Sequence, residues 1–282
     1  MKRHVVDLTE EDDAPPLKRP TVNNSTGSTT SKTTGYCNPT PFFMSRINSD
    51  VYHPHLLSLQ DIFSGFPTEA IVFNYSMDPE WLITEVPILS TIRTHLVMHC
   101  PMGNPQNIPS LVGLNLYRAP YNYHYSCHHT KMMILFYEGI GCRVVVHTNN
   151  MIAVDWGNKC QVIWTQDFPI KTSHGISEFE TSLVDYLRQM REQCKVNGEI
   201  RKEQCNLDFV STKDSLHAVC GNWIADLAKY DFSNAKAKLV PSVPGRHNMP
   251  TVKYGHLRVR DLITWTPVID EAIPFCQFSS IG

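Results

Sequence analysis

The sequence is short of charge imbalance, of paired cysteines and of long apolar runs, and each shortage removes a class of protein. Lysine and arginine total 25 against 27 acidic residues in a chain of 282. A global field that draws polyanions is therefore excluded, and any nucleic-acid contact would have to come from a local basic patch, backbone amides or stacking. The 9 cysteines are odd in number and show no Cys-x-x-Cys spacing, which argues for a reducing compartment and against a disulfide framework. Cys127-His128-His129 is too compact to give three ligands to one ion, and no partner cluster with ligand spacing follows, so no metal cofactor is expected. No apolar run approaches the ~20 residues of a membrane helix, and the start carries no signal-peptide pattern. The chain reads as a soluble intracellular protein, long enough for one large domain or two small ones.

What is present divides at about residue 37. Residues 1–37 lack hydrophobic periodicity, and Thr21 to Gly35 is almost entirely Ser, Thr, Asn, Lys and Gly, a composition that predicts a disordered tail. Residues 38–282 are expected to fold. Ala70 to Tyr75 and Leu96 to His99 read as strands, Leu111 to Tyr117 as a further short one, and Asp78-Pro79-Glu80-Trp81 opens a helix with Asp as N-cap and Pro in the first turn. Phe179, Leu183, Tyr186, Leu187 and Met190 recur at helical spacing between Ser177 and Cys194, and Leu216, Val219, Trp223, Ile224 and Leu227 do so between Ser215 and Lys229. Asp155-Trp156 and Gln161 to Trp164 are read as continuing the sheet, Lys238 to Val240 as a strand and Tyr254 to Trp265 as a helix. Strands alternating with helices predict an α/β sandwich.

The stretch from His128 to Asn150 organises the rest. Met132 to Tyr137 and Cys142 to His147 are apolar, β-branched and aromatic runs around Glu138-Gly139-Ile140-Gly141, a β-hairpin with a four-residue loop. His129 and Lys131, two apart, point the same way. Pairing Tyr137 with Cys142 would set Lys131 opposite Thr148 and His129 opposite Asn150, about 5 Å apart. An imidazole, an ammonium and a carboxamide would then meet at the open end of the hairpin, a nucleophile or base beside two groups suited to phosphate oxygens. Read otherwise, these are ordinary polar residues at a strand end. Upstream, Tyr121, Tyr123 and Tyr125 recur at period two, either as a stacking platform or as a strand edge packed on the sheet.

His129-x-Lys131 with Asn150 after the next strand resembles one half of the phospholipase D superfamily signature. His128 to Tyr137, Arg143 to Asn150 and Asp155-Trp156 resemble the tyrosyl-DNA phosphodiesterase branch, in which asparagine stands where other branches carry an acid. Phe73-Asn74-Tyr75, Pro244-Gly245-Arg246, Gly255-His256-Leu257-Arg258 and Gln277-Phe278-Ser279-Ser280 follow in that family's order, so the resemblance runs from Pro41 to Gly282. It implies a phospholipase D-like mixed sheet between helices, one of the family's two halves. It also implies a metal-independent hydrolase that removes tyrosyl peptides and other blocking groups from DNA 3′ ends in repair. His129 would attack phosphorus and form a phosphohistidine, Lys131 and Asn150 would stabilise charge on the oxygens, Tyr75 and Tyr125 would line the groove, and Ser279 and Ser280 would contact the DNA backbone. His128 should point to the opposite face.

One departure matters. The family's two halves each give a His-x-Lys and an Asn to a shared site, and no second His-x-Lys follows Lys131. Three readings stay open: part of a fuller enzyme whose second half lies elsewhere, a half-site homodimer, or a non-catalytic module that binds DNA ends or SUMO. In the tail, Val5-Val6-Asp7-Leu8 before Glu10-Glu11-Asp12-Asp13 resembles a SUMO-interacting motif, a strand added to a partner's sheet edge with an acidic flank. Lys2-Arg3-His4 and Lys18-Arg19 read as a nuclear import signal, so the expected location is the nucleus.

Overall fold

The computed structural model describes residues 41–47, 53–102, 113–120, 127–173, 175–196, 199–200, 215–245, 247 and 253–264. The N-terminal readings at Lys2, Val5, Val6, Leu8 and Lys18, the tyrosines Tyr121, Tyr123 and Tyr125, Arg246, and the Ser279-Ser280 stretch lie outside the described residues. The strands are β1 (Phe42–Ser45), β2 (Leu56–Leu57), β3 (Glu69–Met77), β4 (Arg93–Pro101), β5 (Leu114–Arg118), β6 (Met132–Tyr137), β7 (Gly141–His147) and β8 (Val162–Pro169). They form an 8-stranded mixed sheet in the order β2-β1-β8-β7-β6-β3-β4-β5. β3, β4 and β5 run parallel, the β3–β6, β6–β7, β7–β8 and β8–β1 pairs are antiparallel, and β1 runs parallel to β2.

Side chains alternate across this sheet and build a core on each face. Ile71, Phe73, Ile134 and Val144 pack under α4 (Glu178–Gln193) and α5 (Leu216–Leu227), whose inward residues include Phe179, Leu183, Leu187, Val219 and Trp223. Val72, Leu96, Met133, Leu135 and Val145 face the other way, against Leu59 and Ile62 of α1 (Leu59–Ile62) and Leu82 of α2 (Pro79–Glu85). β6 is covered on both faces, so every one of its residues is buried, which accounts for an apolar run without alternation. The helices start where side-chain oxygens satisfy free backbone N–H groups: Asp78 accepts from Trp81 at 3.1 Å, Ser177 from Glu180 at 3.1 Å and Ser215 from Ala218 at 3.2 Å. The helix read toward the C-terminus is α6 (Gly255–Thr264).

Three expectations are corrected. The hairpin pairs Tyr137 with Gly141 and Phe136 with Cys142, one residue away from the expected register. Gly139 takes the left-handed turn, at φ 69°, and the Ile140 N–H closes on the Tyr137 carbonyl at 3.0 Å. Gly141 belongs to β7, where a Cβ would run into the carbonyl oxygen of Phe168 on β8. Asp155 and Trp156 form part of a short helix, α3 (Ala153–Gly157), instead of continuing the sheet. Lys238 to Val240 is irregular, and the Lys238 ammonium turns to Glu178 at the start of α4.

Away from the open end of the hairpin, a buried guanidinium ties the two layers. Arg143 donates from Nε to Asp167 Oδ1 at 2.6 Å and from Nη2 to Asp167 Oδ2 at 2.9 Å, and its Nη1 donates to the Ile62 carbonyl at 2.6 Å. Replacing one member of such a set strands the others in a poorly solvated site. We expect Arg143→Met to lower stability by about 3 kcal/mol, the low end for a broken buried pair because Asp167 keeps some solvent. Urea unfolding of the two proteins at neutral pH measures it.

Candidate active site

Antiparallel pairing brings the relevant residues to one edge of the sheet. Because β6 opposes β3 and β7 opposes β6, the segment entering β6 and the segment leaving β7 lie beside the carboxyl ends of β3, β4 and β5. This is where open α/β sheets gather their binding groups. Tyr75 comes from the end of β3, His99 from β4, Arg118 from β5, His128 to Lys131 from the entry to β6, and Asn149 and Asn150 from the exit of β7.

His129 and Lys131 share a side, as their spacing predicted. The Lys131 ammonium lies 3.2 Å from His129 Nδ1 and 3.4 Å from Nε2. The Tyr75 ring packs on the His129 ring with centroids 4.8 Å apart, and Lys131 Nζ sits 5.8 Å from the Tyr75 centroid. Tyr75 stacks in turn on His99, at 5.0 Å and 15°. His128 and Thr130 point the other way and anchor the segment. The His128 ring is buried 6.1 Å from Phe73, and the Thr130 hydroxyl meets the Tyr186 hydroxyl of α4 at 2.7 Å. Such alternate anchoring compensates for missing ladder contacts, since the β3–β6 pairing begins only at Phe73 and Met132.

The corrected register changes what Asn150 stands against. Lys131 accepts the His147 N–H on its carbonyl at 3.1 Å, so it stands opposite His147 and not Thr148, and the ladder makes no His129–Asn150 pair. Asn149 is fully buried and structural, donating from Nδ2 to the Asp155 carbonyl at 3.0 Å and to Ser45 Oγ at 3.3 Å. Asn150 is held by Asp155 instead: its backbone N–H donates to Oδ2 at 2.7 Å, and its side chain is hydrogen-bonded to the same carboxylate. The Asn150 Oδ1 is buried with no hydrogen-bond partner among the described residues. Tyr125, Ser279 and Ser280 lie outside the described residues. His99 was missed in the sequence because it carries no motif; only the β3–β4 register, which sets Asn74 beside Met98 and Ser76 beside Cys100, reveals it next to Tyr75.

The electrostatics suit a neutral imidazole beside cations. Burial, then the charge of Lys131 and then His99, hold the His129 pKa below its ordinary value. Burial also lowers Lys131, opposed by the Asp155 carboxylate. His99 is lowered by burial and by Arg118. His128 is brought to about 3 by burial and its cationic neighbours, and His147 to about 3 by burial and Lys131. The lowered pKa leaves the His129 imidazole neutral at neutral pH, with the Lys131 side chain against its ring nitrogens.

This eight-stranded mixed sheet between helices, with its His-x-Lys at the carboxyl end of parallel strands, defines an α/β sandwich protein. The crystal structure of the yeast tyrosyl-DNA phosphodiesterase superposes with a TM-score of 0.57 over 79% of this chain and 49% of that one, at 17% identity. The chain belongs to the tyrosyl-DNA phosphodiesterase family, whose model matches residues 41–282. Tyrosyl-DNA phosphodiesterase 1 of Arabidopsis thaliana is 32% identical over 240 residues, covering 80% of this chain and 36% of the plant protein. The Drosophila melanogaster protein of the same name is 32% identical over 163 residues, covering 55% and 24%. The chain thus spans about a third of the plant relative's length.

Proposed function

We propose that this chain supplies the nucleophilic, anion-binding half of a site that cleaves the phosphodiester joining a tyrosyl or other blocking group to a DNA 3′ end. The observation that carries this reading is Lys131 Nζ held 3.2 Å from His129 Nδ1, with the Tyr75 ring packed against the imidazole. The His129 lone pair forms a nitrogen–phosphorus bond as the bond from phosphorus to the blocking group's oxygen breaks, and that oxygen leaves with the electron pair. Lys131 and the Asn150 carboxamide flank the non-bridging oxygens, where the Lys131 ammonium and the Asn150 amide hydrogens offset developing charge. Completing a turnover takes water attacking phosphorus to break the nitrogen–phosphorus bond and free His129, a step for which these 282 residues carry no second His-x-Lys. Tyr75, and Tyr125 beyond the described residues, offer stacking faces for the strand or the tyrosyl ring, and Ser279 and Ser280 offer hydroxyls to phosphates. The names of the plant and fly relatives favour DNA as the polymer. Repair of chromosomal DNA sets the expected location in the nucleus, with Val5, Val6 and Leu8 serving to dock SUMO.

The test is a labelled single strand carrying a 3′ phosphotyrosine, incubated with this chain in EDTA. Loss of the tyrosine with the chain, and none with His129→Ala, is the expected pair of results. Equal loss with both, or none together with no labelled adduct on the unmutated chain, would overturn the reading.

A further inference from the structure

Tyr75 stands where the β3–β6 ladder stops. The last rung joins Phe73 to Met132, so the Tyr75 ring, which packs on the His129 ring at 4.8 Å, lies beyond the strand pairing on that side. On its other side β4 continues. Asn74 is set beside Met98 and Ser76 beside Cys100, which puts His99 across from Tyr75 on one face of the parallel pair. One step down the same column Phe73 faces Val97, and both belong to the core beneath α4 and α5, where the Trp223 ring meets Phe73 edge-on at 5.8 Å. The His99 and Tyr75 rings lie nearly parallel, with centroids 5.0 Å apart and 15° between their planes. That spacing is inside the range of about 4.5–7 Å at which aromatic pairs attract. Rings therefore follow one another from β4 to the imidazole, His99 on Tyr75 and Tyr75 on His129.

We propose that His99 is a positioning residue for His129, acting through the Tyr75 ring. This rests on the reading of His129 as the nucleophile given above. His129 precedes β6 and lies outside the β3–β6 and β6–β7 ladders. Contacts on its ring therefore decide where the imidazole nitrogens point, and these are Lys131 Nζ and the Tyr75 ring. Lys131 ends a flexible four-carbon stem and can follow whatever it binds. A tyrosine ring turns about only two torsions, and one stacked on a second ring cannot turn away without losing that contact. His99 makes another tie to the same segment, accepting the His128 N–H on Nδ1 at 3.5 Å. That distance is at the outer edge of hydrogen bonding, so the stacked ring is the stronger route. His99 itself is carried by β4, which is paired with β3 on one edge and β5 on the other. A group backed by a paired strand is placed more precisely than one backed by a loop.

The His129 Cε1–H resonance of the histidine-labelled chain, identified as the one that His129→Ala deletes, reports the ring current of Tyr75. Tyr75→Leu fixes the position that resonance takes once the ring is gone. His99→Leu should move it toward that position. His99→Phe keeps a ring and loses Nδ1, and should leave it at the parental place. His99→Leu added to Tyr75→Leu should move it no further, as expected when one residue acts through the other. A parental signal in His99→Leu, a His99→Phe chain that behaves like His99→Leu, or further movement in the double variant overturns the proposal. Should His99→Leu fail to fold, His99→Asn keeps an acceptor for the His128 N–H without the ring, and a parental signal there is sufficient to reject it. With the 3′ phosphotyrosyl strand at saturation, adduct formation in His99→Leu should slow roughly 10- to 100-fold, as for other misplaced reacting groups, with the half-saturating strand concentration little changed. A parental rate in a variant whose signal has moved also overturns the proposal. The resonance is read without DNA, so failure of the reaction itself and failure of this positioning role give different results.

Discussion

A strand ending in 3′ phosphotyrosine should react with this chain about 10²- to 10⁴-fold faster than the same strand whose 3′ phosphate carries an alkyl alcohol, the range that general acid catalysis typically supplies. The reason lies in which groups near His129 can give a proton. No second His-x-Lys exists in the 282 residues. The neighbouring imidazoles are in the wrong form: His128 is held at about 3 and His99 is pushed below its ordinary value, so both are neutral when His129 is reactive. On the proposed mechanism Lys131 is committed to phosphate oxygens. A tyrosyl oxygen, whose conjugate acid has a pKa of about 10, can depart without help, whereas an alkoxide cannot. The same shortage applies to the second step, in which water must be activated. The tyrosyl substrate should therefore release close to one tyrosine per chain and leave the strand on His129. Release of tyrosine and of an alkyl alcohol at equal rates would show that another acid serves the site. Lys131→Met bears on the same chemistry: it removes the cation that lowers His129, so the acid limb of adduct formation should move to higher pH.

The hairpin shows how far a sequence can take such an argument. The apolar runs on either side of Glu138 define both strands, and the period-two rule correctly sets His129 with Lys131 and turns His128 away. The register was one residue off because two glycines compete for one turn. Gly139 is needed for its left-handed backbone, and Gly141 is needed inside β7 for the close approach of Phe168. The second requirement is set by a strand more than twenty residues onward, which local pattern does not reveal. The consequence falls on Asn150, which is held by Asp155 and does not lie across from His129. Asp155-Trp156 contains nothing that distinguishes one helical turn from a strand, so its role became legible only from contacts. His99 is a similar case, a polar residue at a strand end whose meaning depends on sheet order. By contrast Asp78-Pro79, Ser177 and Ser215 were readable because capping is a local transaction between neighbouring residues.

Acidification from pH 6.5 to 4.5 should remove about 5 kcal/mol of stability, a large share of what a domain of this kind has. The source is the pair of buried histidines. His128 and His147 each have a pKa near 3 in the folded chain, against an ordinary value of 6.5. Between these values the unfolded chain binds more protons than the folded one, so stability rises with pH across the window and is lost as pH falls, at about 1.4 kcal/mol per unit for each histidine. His129, also lowered, adds in the same direction. Asp155, held below its ordinary value, contributes only once the pH drops under the usual carboxylate range. His147 offers the cleaner test. Its ring nitrogens make only a weak approach to the Asn149 backbone, and its ring packs 5.9 Å from Trp156. An apolar side chain there gives up little hydrogen bonding, so His147→Leu should cost little at pH 7.5. It should cut the pH dependence of the urea midpoint between 6.5 and 4.5 by about half. A variant that loses stability on acidification as steeply as the parent would mean that His147 is not held neutral by the fold, and the acid sensitivity would then belong to His128 and its cationic neighbours.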